Sequence, residues 1–215
     1  MVELGSQRNS HVIAGLAPGE ERTFARSILA ARAEGRKLQP ISNTRLLSPE
    51  EAESIARAII DIRMAGGETI KASVLSEEGD LSYLTNKQIV ESAPSILIEG
   101  RVSPVVIRST ERTHLGLMIS DRLFERGRRE DQLASGSGAV AVIVGPEIPF
   151  QGEATLRLGN ERWVIKEMTA IATPDLGLEW AVSAPLLYPT NWERGSTVVV
   201  DLQGPSKVSF SARRL

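Results

Sequence analysis

The chain has 215 residues, 41% of them apolar and 24% charged, with a net charge of -2. That length suits one well-buried domain and is short for two. The near-zero charge gives no electrostatic reason for a nucleic-acid or anionic-membrane partner. The absence of cysteine excludes disulfides, thiolate catalysis and thiolate metal sites, and no apolar run approaches the ~20 residues of a membrane-spanning helix.

Residues 1–19 read as an N-terminal extension. They have neither the basic start nor the sustained apolar run of a signal peptide, so a cytoplasmic location is expected. A first helix is predicted from Glu20 to Glu34, with Phe24, Ile28 and Ala31 inward and Gly35 ending it. A second runs from Ser48 to Ala65: Ser48 caps it, Pro49 occupies the first helical position and Glu51 completes a capping box. Ala52, Ile55, Ala56, Ile59 and Ile62 form its apolar stripe, and Gly66-Gly67 stops it. A third, shorter helix is predicted over His114 to Arg126. Arg122, Arg126, Arg128 and Arg129, interrupted by Glu125, Glu130 and Asp131, read as a solvated helix end.

From Ala139 the texture is strand-like. Ala139–Val144 is a β-branched run that predicts a strand buried on both faces. Ala154–Leu158 and Trp163–Met168 flank the hairpin turn Gly159-Asn160. Glu179–Ser183, Thr197–Leu202 and Lys207–Ser211 complete the strands. The expected fold class is α+β: one domain over residues 20–215, helical over 20–66 and mainly β over 67–215, its mostly antiparallel strands curled into a sandwich or partial barrel.

SILAARAEGRKLQPISNTRLLSPEEAESIARAIIDIRMAGGETIKASV is similar to the opening of the 2-keto-4-pentenoate hydratases, a branch of the fumarylacetoacetate hydrolase family. There, a helix passes through a Gly-Arg-x-x-x-Pro turn (Gly35, Arg36 and Pro40 here) into a second helix and a strand carrying a lysine (Lys71). GDLSYLTNKQIVES resembles the segment that follows. HLGLMISDRLFERGRREDQLASGSGAVAVIVGP resembles the family's Asp…Asn-Ala-Ser…Gly-Pro stretch, with Asp121 on its aspartate and Ser135 or Ser137 on its serine. The tail EWAVSAPLLYPTNWERGSTVVVDLQGPSKVSFS is similar to the closing strands. The resemblance implies helices packed on a β-rich domain and a homodimer.

The departures are informative. Hydratases of this family hold Mg²⁺ or Mn²⁺ through a Glu-x-Glu pair and a third carboxylate, hard ligands for a hard cation. Where that strand belongs, Gly100-Arg101-Val102-Ser103-Pro104 runs straight into Val105-Val106-Ile107. No metal ligand is assigned. A family helix near Ala172–Leu178 is replaced by the loop Thr173-Pro174-Asp175.

The resemblance places Lys71 on a strand facing the substrate cavity, where its ammonium would hold a carboxylate or enolate oxygen. Glu77, in a cluster with Glu78 and Asp80, is a candidate acid or base beside the active-site lid. His114 and Asp121, seven apart, share a face if the segment is helical, and a histidine beside a carboxylate suits proton transfer. Tyr83, Ser137, Trp180, Tyr188 and Trp192 are the expected substrate contacts; the aromatics crowd the β half, where they either line an apolar cavity or fill the core.

Three functions are consistent with these residues. The first is a metal-independent enzyme of hydratase ancestry acting on an apolar carbonyl- or enol-containing small molecule, with ring closure in a biosynthetic pathway as the expected reaction. The second is a Mg²⁺- or Mn²⁺-dependent hydratase whose ligands come from Glu77, Glu78, Glu99 or Glu111. The third is a non-catalytic subunit that keeps the fold.

Overall fold

The computed structural model describes residues 13–75, 81–91, 95–96, 100–121, 123–124, 127–136, 138–150, 152–166, 177–187 and 190–215. Helices α1 (Glu20–Glu34) and α2 (Pro49–Ala65) have the predicted bounds. The α2 cap is the predicted capping box: Ser48 Oγ accepts from the Glu51 amide at 3.2 Å and the Glu51 carboxylate accepts from the Ser48 amide at 2.8 Å. Such a cap contributes about 1 kcal/mol. Glu51 also accepts from the Leu16 amide at 2.7 Å, tying the entering chain to the helix. These two backbone amides hold its carboxyl below the usual range. In α2 the buried stripe is Ala52, Ile55, Ala58 and Ile59, so Ala58 takes the inward place expected of Ala56. Ala25, Ile28 and Ala31 of α1 meet that stripe in a helical core that also contains Leu123 and Leu133.

The strands form two main sheets, described in chain order as follows. After the short β1 (Ile13–Ala14) and β2 (Arg45–Leu46) come β3 (Ile70–Leu75), β4 (Leu81–Thr85), β5 (Ile89–Glu91), β6 (Ser95–Ile96), β7 (Arg101–Arg108) and β8 (Thr113–Ser120). Then follow β9 (Ala139–Glu147), β10 (Ala154–Leu158), β11 (Glu161–Ile165), β12 (Trp180–Val182), β13 (Thr190–Asn191), β14 (Thr197–Gln203) and β15 (Lys207–Arg214). The larger sheet has the order β4-β3-β12-β7-β8-β9-β5, with β13 also on β7; the smaller has the order β11-β10-β14-β15-β6. The end strands of the larger sheet, β4 and β5, are joined by the single 3-10 turn Asn86–Gln88, so the sheet curls round toward itself as a partial barrel. Pairing is mostly antiparallel, with β3–β12, β5–β9 and β6–β15 parallel.

Each sheet face buries a different core. Val102, Val106, Leu115, Leu117, Ile119 and Ile143 point outward to meet Leu156, Val200 and Leu202 of the smaller sheet. The opposite face, the barrel lumen, holds Ala72, Val74, Val105, Ile107, Met118, Val142 and Val182. Burial on both faces explains why β7, β8 and β9 read as continuous apolar runs.

Three expectations are corrected here. The segment from His114 is strand, not helix: β8 lies between β7 and β9 and pairs with both, so sheet burial overrides a spacing that also fits a helix. The hairpin turn is as expected, with Leu158 paired to Glu161, but its second strand starts at Glu161, two residues before the expected Trp163. The supposed solvated helix end is the start of a short helix α3 (Arg129–Ala134) in which Asp131 is fully buried. Its carboxylate accepts from the Ser42 amide at 2.9 Å, the Ser42 hydroxyl at 2.6 Å and the Arg128 amide at 2.8 Å. A buried charge persists when it is this fully hydrogen-bonded. Among the described residues, no helix is long and apolar enough to cross a membrane.

Candidate functional site

The strand register decides what faces the lumen. In β7 and β8, Ser103 lies opposite Met118, Val105 opposite Gly116 and Ile107 opposite His114. Opposed residues share a face, so Ser103, Val105 and Ile107 all point inward, where the family resemblance puts a Glu-x-Glu pair. Ser103 is 1% exposed, Val105 and Ile107 0%, and Met118 4%. One hydroxyl, two hydrocarbon side chains and a thioether do not suit a hard divalent cation. The Ser103 Oγ has no hydrogen-bond partner, a buried polar group left over inside an apolar wall. Its sequence signal was available, because it is the one polar side chain in the run Val102–Ile107. Among the described residues no three acidic or histidine side chains gather as metal ligands would.

At one end of the lumen His114 and Trp180 meet edge to face, with centroids 5.4 Å apart and planes at 83°. His114 Nδ1 lies 3.1 Å from the Gly145 carbonyl oxygen. A carbonyl only accepts, so Nδ1 carries the hydrogen and Nε2 holds the lone pair in the neutral ring. Lys71 is the extra residue of a bulge, since Ile70 pairs with Thr85 and Ala72 with Leu84. A bulge re-aims its side chain, and the ammonium lies at the surface, 2.7 Å from Glu179 Oε2 with both side chains nearly half exposed. The Glu179 hydrogen bond and charge raise the pKa of Lys71, so it stays an ammonium at neutral pH. Tyr83, opposite Ser73 rather than Val74, belongs to the face away from the lumen and is exposed.

Asp121 lies elsewhere. Because His114 lies in the strand β8, which ends at Ser120, it shares no helix face with Asp121. Asp121 borders a cleft of about 910 Å³ between the C-terminal end of α1, the start of β7 and the β13 segment. Trp192, 2% exposed and part of the outward core, also lines it, so the two roles weighed for this aromatic coincide. The cleft is of ligand-binding size. Asp121 Oδ2 accepts from Arg32 Nε at 2.6 Å, and Arg32 Nη2 donates to the Ser135 carbonyl at 2.8 Å. The two side chains are 9% and 17% exposed. Arg32 was missed in the sequence, where an arginine in the last turn of a helix reads as ordinary charge complementarity to the helix dipole. Of the expected site residues, Asp121 and Trp192 thus share the cleft, and His114 and Trp180 share the lumen end. Lys71 and Tyr83 join neither group; Glu77, Ser137 and Tyr188 lie outside the described residues.

No family model and no curated protein matches the chain. Solved structures do. The 4-oxalocrotonate decarboxylase of Pseudomonas putida G7, complexed with magnesium and adipate, superposes with a TM-score of 0.74 at 12% identity, over 93% of this chain and 99% of that one. The same enzyme complexed with calcium and acetate gives 0.72 at the same identity and coverage. The chain therefore has the fold of this decarboxylase, carried by a sequence that shares only 12% of its residues with it.

Proposed function

We propose that the chain is an enzyme of hydratase ancestry that works without a resident divalent cation on a carbonyl- or enol-containing small molecule. The observation that carries this reading is the packed lumen. Ser103, Val105, Ile107 and Met118 are buried on the inward face, where the family resemblance puts the metal ligands. This reading takes the cleft beside Asp121 and Trp192 as the working cavity. A cavity that holds two reacting ends together accelerates an intramolecular reaction without a side-chain nucleophile, and ring closure is the reaction class this favours. Lys71 enters the reading only by exchanging Glu179 for a substrate oxygen, and unchanged turnover in Lys71→Ala would remove it.

Metal analysis of protein purified without chelator, with a Mn²⁺ titration, tests the central point. Turnover that survives EDTA, with no stoichiometric Mn²⁺ binding, is expected; one tightly held Mn²⁺ per chain and hydration of 2-keto-4-pentenoate would restore the hydratase reading. A protein that turns over nothing yet folds normally would be the non-catalytic relative. The proposal extends to a homodimer, supported by the smaller sheet, where Trp163 and Val164 of β11 and Val199 of β14 are 55%, 51% and 47% exposed. A second copy would cover such apolar surface, and sedimentation at micromolar concentration measures it.

A further inference from the structure

We infer that the cleft beside α1 is an anion-binding site, taking a small organic molecule with an apolar body and a negatively charged head. Three observations carry this. Arg32 is nine-tenths buried, and its two hydrogen bonds to described residues use Nε and Nη2. Nη1 makes no hydrogen bond and is not sealed from the cleft that Arg32 lines. Asp121 and the Ser135 carbonyl therefore fix the guanidinium plane and leave one donor edge for a ligand, the rigid fork that suits carboxylate and phosphate.

The second observation is the charge around it. The cleft wall carries five cationic side chains, Arg32, Arg36, Lys37, Arg101 and Arg214, against three acidic ones, Glu34, Asp121 and Glu193. By count the wall is thus richer in cationic than in acidic side chains, in a chain whose net charge is -2. The last carbonyls of α1 do not oppose this excess fully, because the Gly35 and Arg36 amides already cap the Arg32 and Ala31 oxygens at 3.3 and 3.0 Å. The third observation is the apolar remainder of the wall, Ala31, Leu123, Val140 and Trp192, which suits a hydrocarbon body rather than a bare inorganic ion.

The inference rests on the cleft being the ligand cavity and not on the absence of a metal, so it is tested by binding rather than turnover. Octanoate, octanol and inorganic phosphate are titrated calorimetrically against the whole chain. Saturable octanoate binding, at least tenfold tighter than octanol or phosphate, is expected. Arg32→Lys, which keeps a cation opposite Asp121 but loses the Nη1 edge, is expected to weaken octanoate at least tenfold. Should that variant fold poorly, Arg36→Glu with Lys37→Glu alters only exposed side chains and is expected to weaken octanoate similarly at an unchanged melting temperature. Octanol binding as well as octanoate, octanoate binding indifferent to both variants, or no saturable binding would overturn the site. None of these outcomes bears on the Mn²⁺ titration, so the two readings fail separately.

Discussion

The barrel lumen and the cleft beside α1 are built from the same kinds of strand, yet one excludes charge and the other concentrates it. The lumen lies on the inward face of β7 and β8, where Val105, Ile107 and Met118 meet Val74, Val142 and Val182 from the curled sheet. A charge placed there would be surrounded by these apolar side chains. The cleft opens where the sheet meets α1, and Arg32 and Asp121 neutralise each other at 2.6 Å while its rim stays wet. The contrast teaches that one scaffold can present an apolar interior on its strands and a charged cleft where loops and helix ends meet.

The largest test of this contrast is Val105→Glu, which returns a carboxylate to the lumen. A lone buried charge is expected to cost about 4 kcal/mol in urea unfolding; a near-neutral effect would mean that water reaches the lumen and would break the comparison. Asp121→Ala comes next, leaving Arg32 buried without its counter-ion. About 3 kcal/mol of destabilisation is expected by the same measurement, and a loss below about 0.5 kcal/mol would place the pair in the surface class.

Glu51→Gln sharpens the comparison from outside both regions, because Glu51 caps α2, the helix packed against the α1 that walls the cleft. It is expected to cost about 1 kcal/mol at neutral pH. The pH dependence follows from the lowered pKa of Glu51. The stabilisation is fully present above the ordinary carboxylate value of 4.5 and is lost as pH falls through the lower, folded value. The wild type and Glu51→Gln should therefore converge in melting temperature on acidification; a constant gap would sink the assignment. The smallest effect is expected from Lys71→Ala, whose exposed pair with Glu179 should leave the melting temperature unchanged within error.

How much of this was legible in the residues depended on the range of the forces involved. The α2 cap, its glycine stop and the Gly159-Asn160 turn are local: Ser48, Glu51 and Gly159 act on backbone a few residues away, so spacing alone places them. The strand from Thr113 to Ser120 was misread because His114, Leu115, Leu117 and Met118 fit a helical stripe as well as a doubly buried strand. Only pairing with β7 and β9 decides between the two. Asp131 looked solvated because its partner Ser42 is remote in sequence.

By itself the sequence determined the two helices with their caps, the β character of the C-terminal half, and a segment Val102–Ile107 that carries no carboxylate. Each follows from local backbone preference or from the side chain's own chemistry. The tertiary structure alone decided that Ser103, Val105 and Met118 share one lumen face, that Lys71 is bulged out to Glu179, and that Arg32 meets Asp121 at a separation of 89 in the chain. Those outcomes rest on register and on the curl of a sheet, which bring together residues no short-range rule connects.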